Sequence, residues 1–87
     1  MGKIYMAYWV YILECKGETL YTGSTDDVEK RLELHRCGKG AKYTRGRAPL
    51  ILLYKEECRD RSEALKREAA IKKFSRTEKL LLIKDNE

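Results

Sequence analysis

Residues 8 to 15 read YWVYILEC, a run dominated by aromatic and β-branched side chains. Eight residues of that composition make a strand. KGET follows at 16 to 19, with Gly17 inside it, and LYTG at 20 to 23 is strand-like again. Two such runs joined by a short glycine-containing turn form a hairpin. That hairpin is the frame on which the rest must pack. With 87 residues in all, the chain has room for one domain (1–87, core about 8–83) and one small core.

The pattern changes after Gly23. Ser24, Thr25 or Asp26 is placed to cap a helix, and Asp26, Asp27 and Glu29 put negative charge at its start. This helix runs to about Arg36, with Val28, Leu32 and Leu34 facing inward, and Gly38 and Gly40 stop it. Residues 38 to 49, GKGAKYTRGRAP, are a basic, glycine-rich loop. LILLYKEE at 50 to 57 reads as a third strand, apolar enough to be central. A helix follows over 59–74, capped by Asp60 or Ser62, and another over 75–83, where Ser75 and Glu78 have capping-box spacing. The order β-β-α-β-α-α predicts a small α+β domain, a three-stranded sheet with helices packed over it.

Nineteen Lys and Arg against fourteen Asp and Glu give a net charge of +5, which favours a polyanionic partner, nucleic acid first. Three cysteines without a C-x-x-C pair, beside a single histidine, do not make a zinc site. No signal peptide or long apolar run is present, so a cytoplasmic protein with reduced thiols and no membrane contact is expected.

A few polar groups sit where a plain core has no use for them. Arg31 and His35 are four apart, on one helix face at the border of the Val28–Leu32 stripe. Glu68 lies among Ala64, Leu65 and Ile71, which should face the core. A carboxylate there must pair, with Arg31 or Lys72, or bind a divalent metal such as Mg²⁺, with water and substrate phosphate completing the shell. Tyr11 and Tyr21 share a sheet face if the turn is a three-residue loop over 16–18, and oppose each other if the loop is even. Gly23 permits an unusual backbone or a close approach where the strand ends. Lys39, Lys42, Arg45 and Arg47, with Tyr43 among them, form a candidate nucleic-acid-binding rim. Two phenols, an arginine, a histidine, a glutamate and a basic rim suit phosphodiester hydrolysis, in which cations stabilise phosphate charge and a base activates water.

In order and spacing these residues resemble the GIY-YIG nuclease superfamily. The first motif corresponds to Trp9-Val10-Tyr11-Ile12, with Trp9 and Val10 in place of Gly-Ile, and the second to Tyr21-Thr22-Gly23. Arg31, His35 and Glu68 follow in the family's order, and LYTGST, GKGAKYT and RSEALKRE are similar to its stand-alone bacterial, Slx-like members. The resemblance implies a three-stranded antiparallel sheet with the active site on one face. It implies Glu68 as the ligand of Mg²⁺ or Mn²⁺ and Arg31 on the scissile phosphate. Tyr11 or Tyr21 would activate or position the water beside His35, with Tyr11 ranked as the base. Since a free phenol titrates near ~10, that role needs a neighbour to lower it.

The expected activity is therefore a metal-dependent endonuclease on DNA, structure-specific in repair or recombination, with a protein partner supplying specificity in place of a second DNA-binding module. The alternatives are a nucleic-acid-binding domain of the same fold without turnover, and a domain that docks an acidic protein.

Overall fold

The computed structural model describes residues 7–86, so the domain limits expected at 1 and 87 lie outside the described residues. Three strands, β1 (Tyr8–Cys15), β2 (Thr19–Thr25) and β3 (Ile51–Cys58), form one antiparallel sheet in the order β2-β1-β3. Three helices accompany them: α1 (Val28–Arg36), α2 (Arg61–Lys72) and α3 (Arg76–Asp85), with a single 3₁₀ turn at Lys42–Thr44. This is the α+β architecture and element order predicted from the sequence.

The central strand is β1, not β3 as the apolar run at 50–57 suggested. Val10, Tyr11, Ile12 and Leu13 are all buried, because the sheet is covered on both faces and β1 faces both. β3 is an edge strand whose apolar run has another cause. A bulge lies between the partners of Ile12 and Leu13, which pair with Tyr54 and Leu52 and leave Leu53 over. The slip sends Leu50 and Leu52 to one face and Tyr54 and Cys58 to the other, so one strand feeds two cores.

On one face, Val10, Ile12, Tyr54 and Cys58 pack against Ala64 and Ile71 of α2, with Phe74, Leu82 and Ile83 closing over them. Leu65, expected inward, is 45% exposed, since it lies one helical step off the Ala64–Ile71 line. On the other face, Tyr11, Leu13 and Cys15 meet Leu32 of α1 and Leu50.

The helix caps follow local chemistry with one shift. Asp60 caps α2, and Ser75 with Glu78 closes a reciprocal capping box on α3. The cap of α1 is Asp27, whose carboxylate accepts from the Lys30 amide, and not Ser24, Thr25 or Asp26. The reason is pairing. β2 stays hydrogen-bonded to β1 as far as Thr25, opposite Trp9, so the helix cannot start earlier.

The hairpin turn decides the face of both tyrosines. Cys15 pairs with Thr19 across a three-residue loop, in which Gly17 (φ 82°) and Glu18 (φ 61°) are left-handed. Leu13 therefore stands opposite Tyr21 and Tyr11 opposite Gly23, placing both phenols on the α1 face.

Candidate active site

Strand alternation and helix periodicity bring Tyr11 and His35 to the α1 face. β1 projects Tyr11 because Val10 and Ile12 point to the other core. α1 buries Val28, Leu32 and His35 at i, i+4 and i+7, so the histidine lies inside the apolar stripe and is only 1% exposed. The sequence had placed it at the border. A histidine that deep needs partners for both ring nitrogens, and it has them.

Tyr11 Oη and His35 Nε2 are 2.8 Å apart. His35 Nδ1 is 2.8 Å from the hydroxyl oxygen of Thr44, which donates to the Ala41 carbonyl at 2.9 Å. The Ala41 amide N–H donates to Nδ1 at 3.3 Å, so both ring nitrogens have partners on the protein. Burial, and after it the Arg31 charge, pushes the His35 pKa below its ordinary value, so the ring is neutral near neutral pH.

Burial pushes the Tyr11 phenol up to about 12, helped by Tyr21 and Glu68, while the Arg31 guanidinium pulls it down. Tyr21 is raised by burial as well, with Lys72 and Arg31 opposing. Arg31 Nε is buried and has no hydrogen-bond partner, an orphaned donor beside the phenols. The rings form one cluster. Tyr21 meets His35 edge-on at 5.4 Å and Tyr11 at 6.4 Å, and Tyr43 stacks on Tyr21 at 5.8 Å. Arg47 lies over the Tyr43 ring at 4.7 Å.

Two glycines make this cluster possible. A Cβ on Gly23 would stand 2.6 Å from Tyr11 Oη, and one on Gly40 would stand 2.2 Å from His35 Nδ1. Gly23 was expected to allow a close approach; the approaching group is the phenol itself. Gly40 was read as a helix stop, but its service is to let the loop pass over the imidazole.

Glu68 lies on α2, in the other layer, and meets β2 at Ser24, which pairs with Val10 and shares its face of the sheet. Ser24 donates to one carboxylate oxygen at 2.6 Å, and Lys72 lies 2.7 Å from the other. Of the pairings open in the sequence, the lysine one is formed, and Glu68 raises the Lys72 pKa. Among the described residues no group of three or more His, Cys, Asp or Glu is arranged to hold a metal. One carboxylate still fits Mg²⁺, which commonly keeps most of its waters and binds through one or two carboxylates plus substrate phosphates. Such an ion would take the place of the Lys72 ammonium.

The structure thus brings together Tyr11, Tyr21, Arg31, His35, Tyr43 and Arg47, with Glu68 at the margin. Lys39, Lys42 and Arg45 stand exposed along the loop. None of these three forms an ion pair among the described residues. Sequence reasoning missed Thr44 and Gly40, and it had Ser24 only as a cap. The one hint of Thr44 was the need of a buried histidine for a second partner. No helix of the described residues is long and apolar enough to cross a membrane.

A family description, the GIY-YIG catalytic domain, matches residues 7–80. The chain is 58% identical over 79 residues to a UPF0213 protein of Syntrophus aciditrophicus, covering 90% of this chain and 91% of that one. It is 52% identical over 82 residues to a UPF0213 protein of Desulfotalea psychrophila, covering 93% and 74%. Among solved structures, the UPF0213 protein BH0048 of Bacillus halodurans is similar at TM-score 0.59 and 46% identity, over 91% of this chain and 84% of that one. The E. faecalis protein EF2693 is similar at TM-score 0.63 and 41% identity, over the same shares of 91% and 84%.

Proposed function

This chain belongs to the UPF0213 family and carries a GIY-YIG catalytic domain, the hallmark of a nuclease family, and on that premise we propose that it is a divalent-metal-dependent endonuclease that hydrolyses DNA phosphodiester bonds. The observation that carries this reading is the hydrogen-bonded chain Tyr11–His35–Thr44 beside an unpartnered, buried Arg31 Nε. It sets a hydrogen-bonded phenol beside a guanidinium N–H that has no protein partner.

In this mechanism Arg31 donates to the scissile phosphate and holds it against the phenols. Tyr11, hydrogen-bonded to His35 Nε2 and beside Arg31, gives up its proton to solvent and, as the phenolate, takes a proton from the attacking water. Thr44, 2.8 Å from Nδ1, holds the imidazole in place against the phenol. Tyr21 packs against both and orders the phosphate side of the site. Glu68 is the residue that would hold a divalent ion, Mg²⁺ or Mn²⁺, and such an ion would supply Lewis-acid stabilisation of charge on the phosphate. Lys39, Lys42, Arg45 and Arg47 contact the backbone of the DNA. One small domain has little surface for reading base edges, so recognition is of DNA structure, as in repair or recombination, or comes from a protein partner.

One observation favours a second reading, a nucleic-acid-binding domain without turnover. Both Glu68 oxygens already have partners, and the Tyr11 phenol stands at about 12. Labelled linear, flapped, forked and junction DNAs, incubated with Mg²⁺ or Mn²⁺, separate the two. Wild type is expected to cut, and Glu68→Ala to lose cleavage on the order of 10³-fold or more while still binding. Binding without cleavage by wild type under every metal would replace the enzyme with the binding domain.

A further inference from the structure

The catalytic cluster does not end at Tyr21. Tyr43 stacks on Tyr21 and its ring leads to an open cavity of about 210 Å³, walled by Thr19 and Leu20 of β2, Tyr43, and Arg76 and Lys79 of α3. These residues come from three separate parts of the chain.

The lining is cationic and hydroxylic. It contains two positive side chains, two hydroxyl groups and no carboxylate. Neither cation forms an ion pair among the described residues. Glu78, which sits between them in sequence, is turned away to the Ser75 amide in the capping box. Arg76 donates through Nη1 to the backbone carbonyl of Glu18, in the left-handed hairpin turn, so its guanidinium is oriented while other N–H groups stay free. Tyr43 is likewise held by Tyr21 on the cluster and by Arg47 over its ring.

The position of Arg76 runs against local preference. It is the first residue of α3, where the helix N-terminus already carries partial positive charge, and its one protein partner is a neutral carbonyl that leaves the charge unpaired. Lys79 follows one turn later and adds a second positive charge on the same side of the cavity. The helix end and the two side chains add to one positive potential over the cavity.

We infer that this cavity is a second phosphate subsite, which holds the backbone of the same DNA strand a few nucleotides away from the phosphate being cut. The inference rests on the nuclease reading of the Tyr11–His35 site and adds to it an extended strand path. The path runs from Arg31, past Tyr21 and Tyr43, to the start of α3. Contacts of this kind position the strand without reading its sequence.

The test compares Arg76→Gln/Lys79→Gln with a control pair, Lys66→Gln/Lys84→Gln, which removes the same charge from exposed, unpaired lysines elsewhere on α2 and α3. Binding of a labelled single-stranded DNA of about 12 nucleotides, within the span a small module covers, is followed against salt. The pocket pair is expected to weaken binding about 10-fold and to reduce the salt slope by about 1.4, at roughly 0.7 per contact on single strands. The control pair should change the slope by less than half as much. Equal effects from the two pairs would mean diffuse charge and overturn the subsite. No binding by wild type would overturn the nucleic-acid reading itself, and the subsite with it. A third arm titrates inorganic phosphate and reads the Thr19 and Leu20 amide resonances. Weak, readily saturable shifts, outcompeted by the oligonucleotide, are expected; phosphate binding as tight as the oligonucleotide's would make this a free-anion site and overturn the strand path.

Discussion

Ile12 and Tyr11 are neighbours on one strand and face opposite ways, and the two faces obey different rules. The α2–α3 face buries Val10, Ile12, Tyr54, Ala64 and Ile71, an ordinary apolar core. The α1 face buries a phenol, an imidazole and a threonine hydroxyl, linked end to end by hydrogen bonds. The first holds the sheet together by area removed from water. The second is tolerated because each polar atom along the chain has a partner, and its pKa shifts are the trace of that burial. A small domain can carry a polar site in its interior when the opposite face of the same strand supplies the stability.

That contrast can be broken at adjacent residues. Tyr11→Phe keeps the ring and removes the proton path, so cleavage should fall about 10²- to 10⁴-fold in single-turnover assays. Ile12→Ala should do the reverse, losing about 2–5 kcal/mol in urea unfolding while the folded fraction still cleaves. Similar effects of both changes on cleavage per folded molecule would show that the faces are not separable.

The next largest effect is expected at Gly40→Ala. Its methyl group meets the imidazole at a distance no side chain tolerates, so the loop or His35 must move. Overpacking of this kind costs about 1–3 kcal/mol, and the His35 ring resonances should shift with it. Unchanged His35 resonances would count against the loop's close approach.

Thr44→Val keeps the shape and removes the oxygen. Cleavage should drop about 10- to 100-fold, as a base loses its orientation. Long-range ¹H–¹⁵N spectra should show a single His35 tautomer in wild type and a mixture in the variant. A mixture already in wild type would mean that Thr44 does not orient the ring.

The smallest effect is that of pH on stability. The folded pKa of His35 lies below the ordinary imidazole value, so the unfolded chain takes up its proton first as pH falls. The histidine's contribution is complete above about 6.5 and declines from there down to the folded pKa, below which nothing further is lost. Urea midpoints of wild type and His35→Gln, compared between about pH 8 and pH 5, should converge as the pH drops. Parallel lines would mean that the ring is not held neutral.

The element order, the capping box at Ser75 and Glu78, and the five ordered positions Tyr11, Tyr21, Arg31, His35 and Glu68 were legible in the chain. Caps and periodicity act within a few residues, where side chain and backbone meet directly. Other features depend on pairing across the fold. The parity of the hairpin turn brought the two tyrosines to one face, and the bulge at Leu53 explained an apolar run that read as a central strand. The docking of residues 40 to 44 onto His35 decided which nitrogen faces Tyr11, and the packing of α2 on β2 gave Glu68 Ser24 as a partner. The sequence by itself determined which segments are helix and strand and which polar groups stand out from the core. Only the tertiary structure decided which side chains meet, because register and loop docking are set by contacts between residues far apart in the chain, and no local pattern encodes them.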